Sequence, residues 1–138
     1  MILIDAGPMV ALLSANDRHH VACRAALQKI EEPMATVWPA FNEAMDLLRS
    51  SRTAQRALWE MVIRGAIYFL DIDVEHAREM RDLMEKYHDL PMDLADAALV
   101  HVAQRQDIRH IFTLDRRDFS VYRTSLGRRF TIVPSLHG

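Results

Sequence analysis

The sequence is poor in several things at once. Cys23 is the sole cysteine among 138 residues, so no disulfide can form within the chain, and a reducing cytoplasm is the expected setting. Four glycines are too few for the Gly-rich loops that wrap phosphates. No apolar run approaches the roughly 20 residues of a membrane span, and no basic leader precedes the first one, so neither membrane insertion nor export is expected. The seven histidines, among them His19, His20, His76, His88, His101, His110 and His137, form no H-E-x-x-H and no Cys/His zinc spacing. Positive charge is not in excess either: the net charge of −2 and pI of about 6.4 exclude a uniformly basic polyanion binder.

What is present is unevenly distributed. Residues 105–138 carry seven arginines against three aspartates, whereas the first 104 hold ten basic residues against sixteen acidic ones. An acidic body is thus joined to an arginine-rich end, and the planar guanidinium fork suits phosphate. A solvated, arginine-biased surface is the alternative. Half of the residues are hydrophobic, enough for one core, and no repeat or Gly/Ser/Pro-rich linker divides the chain. One domain over 1–138 is therefore expected.

The apolar pattern alternates between short runs and helical periods. "MILID" is continuously apolar up to its acid, as a strand buried on both faces is, and "MATVW", "AIYFLDI", "RHIFTLD" and "RRFTIVPS" read as four further strands. Between them lie "NDRHHVACRAALQKIEE", with Asn16 or Asp17 as cap, and "PAFNEAMDLLRS", with Pro39 at the favoured first position. "TAQRALWEMVIRG", capped by Thr53 and ended by Gly65, and "DVEHAREMRDLMEKYHD" are two further helices. "DLADAALVHVAQRQD" is apolar almost all round, as a buried central helix is. Five strands separated by helices of this length predict an α/β fold, a mostly parallel sheet of about five strands flanked by helices.

Carboxylates gather where such a sheet binds ligands, outside the carboxyl ends of its strands. Asp5 ends "MILID" and Asp115 ends "IFTLD"; Glu43 lies in the first turns of the helix after "MATVW". Asp93 and Asp96 stand three apart, on one face at the start of the central helix. Two like charges about 4 Å apart repel by roughly 4 kcal/mol at an effective dielectric near 20. Protons or a cation must relieve that repulsion. All-oxygen ligands suit Mg²⁺ or Mn²⁺, and an ion so held can bind phosphate oxygens and activate water, the chemistry of phosphodiester cleavage.

Structural roles compete for the same residues. Asp93 is equally an N-cap, and Asp96 could complement the helix dipole, although a lone charge amid Leu94, Ala95, Ala97 and Ala98 is costly. Asp46, Asp73 and Asp118 read as helix surface, cap and turn or cap; Asp115 could start a turn. Thr113 is either a strand residue or a hydroxyl for phosphate or bound water. Cys23, Trp38 and Trp59 fall at core-like spacing and read as packing.

In order along the chain, these segments resemble a known family. "ILIDAGPMVALL", "NEAMDLLRS", "DLADAALVHVA" and "IFTLDRRDF" are similar to the four motifs of PIN-domain nucleases, and "FTIVPS" to their last strand. The compact length resembles the VapC-type toxins of bacterial toxin–antitoxin pairs. The resemblance implies a Mg²⁺- or Mn²⁺-dependent ribonuclease with Asp5, Glu43, Asp96 and Asp115 as metal-site acids and Thr113 in support. Asp93 either joins the site or only caps its helix. It also implies a homodimer, silenced by a small antitoxin. Arg116, Arg117 and Arg123 are the candidates for holding the RNA backbone. Two rivals stand beside this reading. A catalytically inactive PIN-like nucleic-acid-binding module would have no reason to keep mutually repelling acids. A phosphotransfer enzyme of haloacid-dehalogenase type needs a second Asp two residues after the first, where this chain has Gly7.

Overall fold

Three-residue strands suffice here because all five join one parallel sheet, in which the three central strands are paired on both sides. In the computed structural model, which describes residues 1–135, β1 (Ile2–Ile4) is wholly buried, as is β2 (Met34–Thr36). β3 (Ile67–Phe69), β4 (His110–Phe112) and β5 (Thr131–Val133) complete the sheet in the order β3-β2-β1-β4-β5. Every pairing is parallel, with Ile4 opposite Phe112 and Leu3 opposite Ala35. His137 and its two neighbours at the end of the 1–138 reading lie outside the described residues.

This order locates the site. The chain steps outward from β1 through β2 to β3, then returns to lay β4 against the other side of β1. The connections leaving β1 and β4 therefore diverge, and the crevice between them is where open α/β sheets receive ligands.

The connections are helical throughout. α1 (Ala6–Leu13) and α2 (His20–Lys29) lead to β2; α3 (Trp38–Leu47) and α4 (Arg52–Ile63) lead to β3. A 3-10 turn (Val74–His76), α5 (Ala77–Lys86) and α6 (Leu94–Gln106) lead to β4, and the short α7 (Arg116–Phe119) follows it. α6 buries eight residues from Ala95 to Ala103, the all-round apolar pattern expected of a central helix. It packs against α3 and α5, and α1 packs against α3. The helices bearing Glu43 and Asp96 are therefore neighbours.

Local expectations differ from the structure at helix starts. Ser51, not Thr53, caps α4: its hydroxyl accepts the Ala54 N–H at 3.1 Å, the third helical amide that an N-cap normally satisfies. α2 begins at His20 because the Asp17 carboxylate takes the His19 N–H at 2.8 Å and holds a turn ahead of the helix. Asp73 caps the 3-10 turn, accepting the Val74 N–H at 2.6 Å. Trp38 and Trp59 depart from the expected packing role. They join Phe41 and Phe69 in an aromatic cluster but remain 54% and 41% exposed. Cys23 does pack, and burial pushes its thiol up to about 11, out of the range of a working nucleophile.

The centre of the sheet is the part least able to lose volume. Ile111 sits in β4 between β1 and β5 with no exposed surface. Ile111→Ala is expected to cost about 2–5 kcal/mol in urea unfolding. A loss under about 1 kcal/mol would mean that the strand is not packed on both sides.

Candidate metal centre

Asp5 leaves the sheet directly after β1, and its position is over-determined. Its backbone N–H still pairs with the Phe112 carbonyl at 3.0 Å, continuing the ladder to β4. Its carboxylate caps α1, Oδ1 accepting the Ala6 N–H at 2.8 Å, while Oδ2 accepts the Thr113 hydroxyl at 2.8 Å. Only 9% of the residue is exposed. Burial pushes its carboxyl above the usual range; the Thr113 and Ala6 bonds oppose that, and Asp115 and Asp93 reinforce it.

Thr113 is the hinge of the site. Fully buried just after β4, it donates to Asp5 and accepts the Asp115 N–H at 3.0 Å, so one hydroxyl aligns two carboxylates. Thr113→Val keeps the shape and deletes both bonds. The expected result is a 10- to 100-fold loss of divalent-cation affinity, measured by calorimetry, as for other lost outer partners of metal ligands.

Asp115 and Asp118 bracket the first turn of α7, Asp115 accepting the Asp118 N–H at 3.2 Å. Across the crevice, Asp93 and Asp96 form a reciprocal cap on α6. The Asp96 N–H donates to Asp93 at 2.8 Å, and the Asp93 N–H to Asp96 at 3.5 Å. Asp96, Asp115 and Asp118 each present an oxygen, and these three atoms lie within 4.8 Å of one another. Asp5 and Glu43 stand beside this trio rather than in it. Glu43, exposed on α3, lines a groove with Asp93, and its carboxyl is raised by partial burial and then by Asp5, Asp93 and Asp115. Asp96 is pushed up to about 8, by burial first and then by Asp93 and Asp5; Asp118 is raised by burial and Asp115. The sequence reading had Asp118 as a turn or cap residue. Its spacing of three from Asp115 was the available signal that both could face one ligand.

Tyr122 has no counterpart in the sequence reading. Fully buried between Phe119 and Tyr87, it donates its hydroxyl towards Asp96 Oδ2 at 3.4 Å. Nothing in the local sequence distinguishes it from an ordinary core tyrosine. The three candidate arginines differ in circumstance. Arg116 donates to the Pro134 carbonyl at 2.5 Å, tying α7 to the end of β5. Arg123 is folded back onto the carbonyls of Ser120 and Tyr122, at 3.0 and 3.2 Å. Arg117 is exposed and close enough to Asp118 to oppose its rise.

The donor set fits a hard divalent cation. It is all oxygen, from clustered carboxylates whose ionised forms are disfavoured by burial and by one another, a penalty that a cation offsets.

Comparison with known proteins identifies the family and the fold. A family model described as the PIN domain matches residues 2–124. Ribonuclease VapC26 of Mycobacterium tuberculosis is 29% identical over 136 residues, covering 96% of this chain and all of that protein. The crystal structure of M. tuberculosis VapC20, a sarcin–ricin loop cleaving toxin, superposes with a TM-score of 0.77 at 14% identity, over 85% of this chain and 92% of that one. A toxin–antitoxin complex from Klebsiella pneumoniae contains a chain that superposes with a TM-score of 0.68 at 19% identity, over 88% and 92%. At those identities the two structures speak to the fold alone. The family match spans the acids after β1, on α3, on α6 and after β4 within one continuous alignment, and this chain belongs to the PIN domain family.

Proposed function

We propose that this chain, as one PIN domain over residues 1–138, is a metal-dependent endoribonuclease and the toxin of a toxin–antitoxin pair. The observation that carries the reading is the meeting of Asp96, Asp115 and Asp118 oxygens within 4.8 Å at the crevice between β1 and β4, with Asp5 beside them. The names of its relatives support it: one is a ribonuclease, another a sarcin–ricin loop cleaving toxin, and a third was solved in a toxin–antitoxin complex.

In this reading Asp5, Glu43, Asp96 and Asp115 hold Mg²⁺ or Mn²⁺, with Asp118 a further ligand and Asp93 fixing the start of α6. A divalent cation bound there lowers the pKa of a coordinated water and offsets the charge gathering on a phosphate. Thr113 and the Ala6 N–H hold the Asp5 carboxylate in place, and the Tyr122 hydroxyl does the same for Asp96. Burial of Asp5 keeps bulk water from competing for its oxygens. Arg117 contacts the RNA backbone, while Arg116 and Arg123 order the segment that carries it. The reaction is hydrolysis of an RNA phosphodiester in which the ribose 3′-oxygen leaves and the product ends in a 5′-phosphate. No side chain forms a covalent intermediate.

The toxin–antitoxin complex among the similar structures supports a small antitoxin as partner; a homodimer acting in the cytoplasm completes the proposal. No helix among the described residues is long and apolar enough to cross a membrane. The test is cleavage of single-stranded RNA by the whole protein with Mg²⁺, with Mn²⁺ and with EDTA. Cleavage is expected with either cation and none with EDTA; Asp115→Asn/Asp118→Asn is expected to lose about 100-fold or more in rate. Undiminished cutting in EDTA, or by the double variant, would sink the proposal.

A further inference from the structure

Trp38 is an aromatic side chain that the core does not need. It opens α3 with 54% of its surface exposed, although Phe41, one turn on, is 2% exposed and already fills the space beneath. Its indole is nonetheless held firmly. It lies flat on Phe69, ring centroids 3.9 Å apart and planes 11° apart, and Phe41 meets it edge-on at 5.6 Å. Turning the ring would break both contacts, so its orientation is set before any ligand arrives. Phe69 takes one face and Trp59 lies 6.4 Å off, tilted by 54°, yet more than half of the residue's surface stays open.

The surroundings of that ring connect it to the metal centre. Trp38, Asn42, Glu43 and Asp46 from α3 line one open groove with Asp93 from the start of α6. Asp93 accepts the Asp96 N–H at 2.8 Å, and Asp96 belongs to the converging trio. The groove is thus aromatic at one end and reaches the carboxylate cluster at the other.

We propose that Trp38 is a stacking subsite for one unpaired nucleobase of an RNA strand whose adjacent phosphate lies at the metal centre. The proposal rests on the ribonuclease reading. Unpaired RNA exposes the π-faces of its bases, and proteins capture them on aromatic side chains. A ring fixed in advance loses little freedom when a base stacks on it. The groove also selects. Its polar groups near the ring are carboxylates with one carboxamide, Asn42, so it is rich in acceptors. Bases with an exocyclic amino group, cytosine, adenine or guanine, can donate it to Asp46, whereas uracil has no such group. Asp46 pairs with Arg49, 3.3 Å away in the turn just past α3.

The experiment compares wild type, Trp38→Ala, Trp38→Phe and Trp38→Leu on short single-stranded RNAs with Mn²⁺. Calorimetric Mn²⁺ binding and circular dichroism are followed in parallel. For Trp38→Ala and Trp38→Leu, KM is expected to rise about tenfold or more with Mn²⁺ affinity unchanged, and Trp38→Phe to recover most of the loss. Replacing cytosine, adenine and guanine by uracil beside the cut should raise KM in wild type and much less in Trp38→Leu. If wild type cuts RNA and Trp38→Leu cuts it with an unchanged KM, the subsite is refuted and the nuclease stands. If wild type neither binds Mn²⁺ nor cuts RNA, the ribonuclease reading has failed instead, and the subsite with it. An unchanged KM together with a loss of self-association in sedimentation would overturn the subsite in favour of a protein contact. Should Trp38→Ala fail to fold, Trp38→Leu, which keeps apolar bulk without a flat face, decides.

Discussion

Asp5→Asn is expected to abolish RNA cleavage, by about 100-fold or more in kcat, while leaving the metal-free protein no less stable than wild type. The two halves have one cause. Asp5 is a buried carboxyl whose charged form is opposed by burial and by Asp115 and Asp93. Without a cation that charge is a liability to the fold. The amide oxygen of Asn can still accept the Ala6 N–H that caps α1, so the turn after β1 survives. What Asn cannot do is offer a second anionic oxygen to a cation. Retained kcat within a few-fold would remove Asp5 from the chemistry. A Tm more than about 5 °C below wild type would make the lost activity a folding defect instead.

A second expected result is a stability profile that runs against the usual direction for acids. Asp96 has its carboxyl pushed up to about 8, against about 3.9 in an unfolded chain. A raised carboxyl pKa favours the folded state while the group is protonated. That contribution is complete below about pH 4 and is lost as pH rises through about 8. Asp5, Glu43 and Asp118 are raised too and act with the same sign. His101 acts oppositely at lower pH: burial, His76 and Arg105 lower its pKa, so its contribution is lost as pH falls below about 6.5. The interval from about pH 6.5 to 8 therefore isolates the carboxylates. In EDTA, Tm should fall by about 3 °C across it, the effect being discounted because Asp96 is only partly buried. Saturating Mg²⁺ or Mn²⁺ should raise Tm most at the alkaline end, because a cation binds the ionised cluster. Asp96→Asn should flatten the EDTA profile without abolishing it. A Tm in EDTA that rises from pH 6.5 to 8 would mean that the carboxylates do not crowd one another in solution.

Much of this was legible in the residues because it depends on short-range periodicity. Short apolar segments marked all five strands, although the edge strands β3 and β5 leave Tyr68 and Thr131 exposed. The helix from Leu94 to Gln106 announced its burial in the same way. The acids were legible too: a carboxylate straight after "MILI" or "IFTL" has little business in a core, and Asp96 amid alanines even less. Helix starts were less so, because Asp17 and Ser51 act through single hydrogen bonds that a neighbouring polar residue could equally make.

Other features depended on distance through space. Trp38 and Phe41 have the same kind of side chain on the same helix, and only the packing of β3 beneath them buries one and exposes the other. Arg116 and Arg123 were two equivalent candidates for phosphate until the fold brought backbone carbonyls to their guanidinium groups. Asp118 became one of three converging oxygens, and Tyr122 a partner of Asp96, through the turn around α7.

The sequence alone determined which side chains would end strands and open helices, and with that the chemistry available there: hard oxygen donors, with no histidine or cysteine in zinc-binding spacing. It could not determine which of those donors meet. That was decided when the chain returned from β3 to lay β4 against β1, bringing Thr113 within 2.8 Å of Asp5 across 108 residues of sequence. Local propensity reaches only a few residues, whereas the order of strands in a sheet is chosen by the burial of the whole.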